Sequence, residues 1–202
     1  MMTGRDFGEY DCTHYYHRNP NTPWLNLEHI FLPWGEIKHQ FGLIRRAFGW
    51  CEKLFIRPNS GCKEFTGTTI WATPKSIEAE LEVIQRYPEN DITDDLLVMV
   101  AAGYPVIRRE CRVLCIKGEP ISWAYYAGKP EEGDEAAIRK LAATLDYYPE
   151  DIFTMDVCSL AARHLAYVVE LNSFSCSGLY DMDYAKVVEA VEDNYSKRVT
   201  TQ

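Results

Sequence analysis

The sequence predicts an α+β fold in which antiparallel sheets are backed by helices. Strand-like runs occur in neighbouring pairs joined by short polar or glycine-bearing turns, which is typical of hairpins. Helix-like segments with apolar residues at three- and four-residue spacing separate these pairs. Leu96–Val100 is too uniformly apolar for a half-exposed strand and is expected at the centre of a sheet. With 202 residues, 47% of them hydrophobic, the chain can build one sizeable core or two small lobes.

The first 50 residues are rich in aromatic side chains and prolines. Periodicity is weak there, except at Leu43–Ala47, which predicts a short helix. We expect residues 1–50 to form an extension packed on the core, which either supplies one wall of a pocket or is only a structural covering. Residues 51–202 then form the main domain, with sub-lobes of roughly 51–95 and 96–202.

A loop that contains Gly61 and Gly67 joins a strand ending at Pro58 to the next strand, with Arg57 and Lys63 at either end of the loop. Backbone amides at the glycines, together with two cationic side chains, are suited to phosphate oxygens. The loop is not a Walker motif, because no helix follows it and no Gly-Lys-Ser/Thr is present. A surface hairpin with incidental basic residues is the alternative.

Three helices are predicted after this hairpin. Thr73 can cap the first, Pro74 suits its first turn, and apolar residues recur at helical spacing through about Tyr87. The others cover Glu131–Leu145 and Asp183–Val191.

A second hairpin is predicted from Tyr104–Ile116 and Ile121–Tyr126. On its first strand Arg108, Glu110 and Arg112 alternate onto one face. Charged groups on a strand this apolar need partners, so they indicate either a ladder of salt bridges or a ligand.

The last predicted hairpin carries the strongest chemical signal. One strand contains Asp156, the other contains Glu170 and Asn172, and the turn lies near Arg163. Side chains two apart on a strand project the same way, and this pairing sets Asp156 opposite Glu170. Two carboxylates and an amide oxygen on one face suit Mg²⁺, which often binds together with substrate phosphates. The alternative is the solvated face of an edge hairpin.

Composition narrows the function classes. A net charge of −9 argues against a general nucleic-acid or anionic-membrane surface. No apolar run approaches the roughly 20 residues that cross a bilayer, and no signal peptide is recognisable, so a cytoplasmic protein without nucleic-acid or membrane partners is predicted.

The cysteine pattern indicates reduced thiols. Seven cysteines without a Cys-x-x-Cys pair predict neither a disulfide framework nor a zinc ribbon. Cys12, His14 and His17 lack a fourth ligand at suitable spacing and are interpreted as packing residues or surface. Cys62 is the thiol expected to be exposed.

Taken in order, these pieces resemble the ATP-grasp enzymes. The resemblance is to the divergent clade that includes the eukaryotic assembly factor of translation initiation and many small bacterial and phage proteins. It covers about residues 53–190 and is carried by the following segments: Phe55–Pro58, Lys63, Phe65–Gly67, Leu96–Val100, Glu110–Arg112, Asp156, Glu170–Asn172 and Ser177–Tyr180.

The resemblance implies two lobes of antiparallel sheet with a nucleotide cleft between them, and ATP and Mg²⁺ as cofactors. Its implied adenine contacts are Leu97, Val98, Met99 and Val100; its phosphate contacts are Arg57 and Lys63; its cleft residues near phosphate or substrate are Glu110 and Arg112; its metal ligands are Asp156, Glu170 and Asn172. The chain departs from the family's pattern in having Arg57 where lysine is common and Cys111 where relatives often carry an aromatic residue.

The reaction implied is an ADP-forming ligation of a carboxylate to an amine or thiol through an acyl phosphate, with Arg57, Lys63 and Arg112 as catalytic residues. The partner would be a small molecule, a peptide or a protein. One alternative is an assembly or chaperone protein that binds ATP with little or no catalysis. The other is an interaction domain whose motifs are coincidental.

Overall fold

The computed structural model describes residues 7–87, 90, 92–103, 107–160 and 164–199, and they form two compact units. The first unit draws on residues 1–13 and 26–105, and the second on 14–25 and 106–202. Each unit contains a four-stranded antiparallel sheet, which confirms the predicted α+β class. Within the described part of the chain, no helix has the length and apolarity needed to cross a bilayer.

The strands are β1 (His29–Pro33), β2 (Lys53–Pro58), β3 (Thr68–Trp71), β4 (Leu97–Ala102), β5 (Arg109–Ile116), β6 (Glu119–Ala127), β7 (Ile152–Ser159) and β8 (Tyr167–Ser173). The α-helices are α1 (Cys12–Arg18), α2 (Trp34–Ile37), α3 (Phe41–Phe48), α4 (Pro74–Gln85), α5 (Asp134–Ala142) and α6 (Tyr184–Val199). Short 3-10 turns occur at Phe7–Tyr10 and Phe174–Cys176.

The first sheet has the strand order β1-β4-β2-β3, so the apolar strand β4 is interior, as its composition predicts. One face of the sheet packs on α2, α3 and α4 through a single apolar cluster. The N-cap of α4 is also as predicted, because the Thr73 side chain accepts a hydrogen bond from the Ser76 backbone N–H at 3.2 Å.

Two boundaries differ from the sequence expectation. β4 is hydrogen-bonded to β1 on one edge and β2 on the other, so it belongs to the first sheet and not to a second lobe that begins at residue 96. Residues 1–50 do not form one extension, because β1 is a strand of the first sheet and residues 14–25 belong to the second unit. Both pairings join segments far apart in sequence, which local pattern does not reveal.

The second sheet has the order β6-β5-β7-β8. The helix α6 packs on one of its faces through an apolar cluster that includes Leu114, Ile152 and Val187. This helix begins as predicted, since Asp183 Oδ1 accepts from the Lys186 N–H at 3.2 Å. The turn near Arg163 and the start of the predicted strand at Tyr104–Val106 lie outside the described residues.

The outer edge of β8 is covered by the chain that follows α1. Trp24 forms a parallel bridge with Val168, the Leu25 N–H donates to the Val168 carbonyl at 2.8 Å, and the Val168 N–H donates to the Pro23 carbonyl at 3.0 Å. These bonds satisfy backbone groups that an open edge would expose to another chain.

A buried ion pair joins α5 to the sheet face opposite α6. Arg109 and Asp134 are 2% and 3% exposed, and the Arg109 guanidinium donates to Asp134 Oδ2. The same oxygen accepts from the Tyr125 hydroxyl and from the Glu131 backbone N–H, while the Glu131 carboxylate lies 3.4 Å from the Arg109 guanidinium. The first turn of α5 is therefore fixed by a charge network and not by apolar packing alone.

This network predicts a pH dependence of stability. Burial opposes ionisation of Asp134, but hydrogen bonds from Tyr125, the Glu131 N–H and Arg109 outweigh it and lower its pKa. A carboxyl whose pKa is depressed by folding stabilises the folded state above its unfolded pKa, and this contribution disappears as the pH falls through the folded value. Urea unfolding should therefore show a stability gap between wild type and Asp134→Asn that is large at pH 7 and shrinks below about pH 4. A gap independent of pH would contradict this.

Candidate functional site

Charged and polar side chains share one face of the second sheet, at the end away from the apolar cluster on α6. We call this surface the carboxylate face; it consists of Glu110, Arg112, Asp156, Glu170 and Asn172. Strand register brings it together, because Arg112 pairs with Asp156 and Asp156 pairs with Glu170. Glu110 and Asn172 follow at alternate positions of their strands.

The three predicted metal ligands therefore lie on one surface. Asp156 stands directly opposite Glu170 across β7 and β8, as the sequence predicts. The Asn172 Nδ2 donates to Glu170 Oε1 at 2.9 Å, which orients the amide beside the carboxylate. Asp156 and Asn172 are buried, whereas Glu170 is half-buried.

Arg112 forms a two-pronged ion pair with Asp156. Its Nε donates to Oδ1 at 2.8 Å and its Nη2 donates to Oδ2 at 2.7 Å. Both side chains are at least nine-tenths buried, so the pair is shielded from solvent. Burial opposes the charge on Arg112, but its hydrogen bond and charge interaction with Asp156 outweigh this and raise its pKa. Arg112 is therefore always charged and orients the Asp156 carboxylate.

The loop that follows β8, residues 173–183, lies over Arg112. The Arg112 Nη1 donates to the Gly178 carbonyl at 3.2 Å, and the hydroxyls of Ser177 and Thr154 are 2.8 Å apart. The Tyr180 ring centroid lies 5.2 Å from the guanidinium carbon of Arg112 and stacks on Tyr126 at 4.9 Å. The Tyr126 ring centroid is 5.9 Å from the same carbon. A buried cation thus lies beside two stacked aromatic rings, which is a favourable cation–π arrangement.

Glu110 shows the electrostatic strain of this face. Burial raises its pKa, and the nearby Glu170 charge acts in the same direction, while a hydrogen bond with Tyr126 and the charge of Arg112 act against them; the net direction is upward. Burial, followed by the charges of Asp156 and Glu110, raises the pKa of Tyr126. This concentration of negative charge favours a cation at the face.

The donor chemistry fits Mg²⁺. Carboxylate oxygens and an amide oxygen are the hard ligands that this ion takes, usually with several waters and substrate phosphates. A carboxylate offers about four lone-pair positions, so the two bonds from Arg112 do not by themselves exclude a cation at Asp156. Among the described residues, no three His, Cys, Asp or Glu side chains converge as metal ligands. The predicted set includes only two such residues, since its third donor is the Asn172 amide.

The predicted adenine strand and one phosphate contact lie together within the first unit. Arg57 pairs with Met99 across β2 and β4, so these side chains share the face opposite the helices. Val98 and Val100 point instead into the apolar core. Because both edges of β4 are paired, its backbone groups are engaged in the sheet, and Met99 is a better candidate than either valine for contact with a base.

The predicted phosphate loop is more engaged than its sequence suggests. The Gly61 N–H donates to Asp11 Oδ1 at 3.2 Å, and the Cys62 N–H donates to Ser60 Oγ at 2.9 Å. The Gly61 amide is therefore not available to phosphate in this arrangement, contrary to the expectation from its sequence. Lys63 is exposed and has a positive φ of 56°.

Gly67 permits close packing at this loop. A Cβ at this position would come within 2.8 Å of the Phe55 ring and 3.2 Å of the Arg57 Cβ. The absence of a side chain at Gly67 is thus part of how Arg57 is positioned.

The cysteines are structural or exposed. Cys111, Cys115 and Cys158 are buried, and burial raises the pKa of Cys111 and of Cys158 to about 12. These thiols are poor nucleophiles. Cys62 and Cys176 are exposed.

Two residues of the site are not found by sequence reasoning. Tyr126 meets Glu110 across a shift of strand register between Glu110 and Cys111, which alternation alone does not anticipate. Thr154 is fully buried and contacts Ser177, and neither residue carries a charge that would mark it. The polar, small-residue composition of the loop is the signal that could have found them.

The folds of several known proteins are similar to this one. D-cycloserine synthetase DcsG matches with a TM-score of 0.57 and 12% identity over 86% of this chain and 64% of its own. Cdc123 from Schizosaccharomyces pombe matches with a TM-score of 0.54 and 14% identity over 89% of this chain and 90% of its own. D-alanine–D-alanine ligase from Bacillus anthracis, solved with ATP, matches with a TM-score of 0.50 and 14% identity over 81% of this chain and 52% of its own. The chain thus spans less than two thirds of the synthetase and of the ligase.

No curated protein matches the sequence itself. A family model does match: it describes an ATP-grasp domain, the third family of its clade, and it covers residues 66–191, which is more than half of the chain. The matched segment includes β4, the whole carboxylate face and most of α6. The chain belongs to this family of ATP-grasp domains.

Proposed function

We propose that this protein binds ATP with Mg²⁺ and uses it to join a carboxylate to an amine or thiol, with release of ADP and phosphate. The observation that supports this most strongly is the carboxylate face, where Asp156, Glu170 and Asn172 share one surface and Arg112 orients the first of them. Similarity in fold to a synthetase and to a ligase solved with ATP supports the same class of reaction.

In the proposed reaction, an oxygen of the substrate carboxylate attacks the γ-phosphorus of ATP. The bond from this phosphorus to the β,γ-bridging oxygen breaks, so ADP leaves and an acyl phosphate forms. The amine or thiol then attacks the acyl carbon, loses a proton, and displaces inorganic phosphate. Positioning and charge neutralisation account for most of the catalysis in reactions of this kind.

The residues take distinct roles in this proposal. Asp156, Glu170 and Asn172 would bind Mg²⁺, which supplies charge neutralisation at the phosphates. Arg57 and Lys63 would contact phosphate oxygens. Arg112 was expected to act on the transferred phosphoryl group, but its donors are directed to Asp156 and the Gly178 carbonyl, which favours a positioning role.

A second candidate keeps ATP binding without turnover, as in an assembly or chaperone protein. The resemblance to the clade of the eukaryotic assembly factor favours it. So does the likeness in fold to Cdc123, which extends over 89% of this chain and 90% of that one. The substrate or partner in either case would be a small molecule, a peptide or a protein.

One experiment separates these candidates. Melting temperatures are measured with ATP, with and without Mg²⁺, and ADP release is then assayed against pooled amino acids and peptides. At about 100 times the dissociation constant, binding stabilises the folded state by about 2.7 kcal/mol. For a chain of this size that is a rise of roughly 5–10 °C. Mg²⁺-dependent stabilisation with ADP release supports the ligase, and stabilisation alone supports the second candidate. The absence of any shift removes both.

A further inference from the structure

The Arg112 side chain links three separate segments of the second unit. Its guanidinium binds both oxygens of Asp156 on β7 and the carbonyl of Gly178 in the loop after β8, and it lies beside the ring of Tyr180. All three nitrogens of the guanidinium are therefore engaged within the second unit. Neither Gly178 nor Tyr180 has a role in the function proposed above.

The loop is also attached to the sheet through Ser177. This residue contacts Thr154, which lies two residues from Asp156 on the same strand, and its hydroxyl donates to the Ser173 carbonyl at 2.8 Å. Much of the loop is exposed, including Ser175, Cys176, Gly178 and Tyr180. Arg112 is thus a main connection between this loop and the carboxylate face.

We propose that Arg112 and Tyr180 are positioning residues for the divalent cation: the loop at residues 173–183 fixes Arg112, and Arg112 fixes the Asp156 carboxylate. This inference rests on the proposed metal site and adds to it a residue, Tyr180, outside the predicted set of ligands. Partners that orient a metal ligand typically contribute about 10–100-fold to metal affinity. Because coupling between two sites is reciprocal, cation binding in turn stabilises the seated loop.

The geometry identifies which feature of each side chain matters. Lysine at position 112 keeps the positive charge but has no planar fork, so it cannot bind both Asp156 oxygens and Gly178 at once. Phenylalanine at position 180 keeps the ring that stacks on Tyr126 and lies beside Arg112, whereas leucine removes it. Tyr180 is 45% exposed, so its replacement does not open a cavity in the core.

The test measures the Mg²⁺ concentration that gives half of the maximal melting-temperature rise at saturating ATP. We expect it to increase about tenfold in Tyr180→Leu and at least as much in Arg112→Lys, and to stay within about twofold of wild type in Tyr180→Phe. Tyr195→Leu is the matched control, because Tyr195 is similarly exposed at 55% but lies farther along α6.

Loop seating is read separately through Cys176, the exposed thiol of the loop, in a Cys62→Ser background that removes the exposed thiol of the first unit. Mg²⁺ with ATP should slow thiol labelling of Cys176, and Tyr180→Leu should weaken this protection. Tyr180→Leu and Arg112→Lys with unchanged half-saturating Mg²⁺ would overturn the positioning role while leaving the metal site intact. A wild-type protein that shows no Mg²⁺-dependent rise would instead remove the metal site itself.

Discussion

Replacing Glu170 with alanine is expected to abolish the Mg²⁺-dependent part of ATP stabilisation and to reduce ADP formation by about a hundredfold or more. Residues that only orient a metal ligand contribute roughly 10–100-fold, so loss of a ligand should have at least the upper value. Glu170 is half-buried and lies on an edge-side strand, so the change should leave the fold intact. Melting scans with ATP and increasing Mg²⁺, followed by the ADP assay, measure both effects.

Two further variants sharpen this prediction. Glu170→Gln keeps the shape and the acceptor for Asn172 but removes the negative charge, so it should lose most of the Mg²⁺ response with little change in unliganded stability. Glu119→Gln is the control, because Glu119 is an exposed carboxylate on β6 of the same sheet. If Glu170→Ala and Glu119→Gln respond to Mg²⁺ alike, the ligand assignment is wrong.

The largest stability effect is expected at the buried ion pair between Arg109 and Asp134. Removing one partner leaves the other charge buried and uncompensated, which typically costs about 3–5 kcal/mol. Arg109→Met and Asp134→Asn should each lower the melting temperature by roughly 10 °C for a chain of this size. Urea unfolding and thermal melting measure this directly.

The double variant and an exposed pair complete the test. Because both partners act in one network, Arg109→Met combined with Asp134→Asn should destabilise by clearly less than the sum of the single changes. Arg139 and Glu135 also form an ion pair on α5, but their side chains are 50% and 62% exposed, so Arg139→Ala should change stability by at most about 0.5 kcal/mol. Additive losses at the buried pair would show that its charges are not coupled.

Local pattern was sufficient where neighbouring segments determine the structure. Thr73 and Pro74 mark the start of α4 because capping is a local interaction. Asp156 lies opposite Glu170 because a short connection and strict alternation fix the register of a hairpin. The uniformly apolar run that became β4 is interior because it has no polar side to expose.

Contacts between distant segments were not predictable in this way. β1 was missed because five residues ending in proline carry little alternation, and its partner β4 is more than sixty residues away. The bond from the Gly61 amide to Asp11 spans 50 residues and alters the expected availability of the loop. Arg112 was assigned to phosphate because its charge is visible in the sequence, whereas its pairing with Asp156, 44 residues away, is evident only in the fold.

Direct localisation of the cation is the decisive measurement. In crystals grown with Mn²⁺ and a non-hydrolysable ATP analogue, we expect an anomalous peak within about 2.5 Å of carboxylate or amide oxygens of Asp156, Glu170 and Asn172. A cation bound to the analogue with none of these three side chains in its coordination shell would contradict the proposed site.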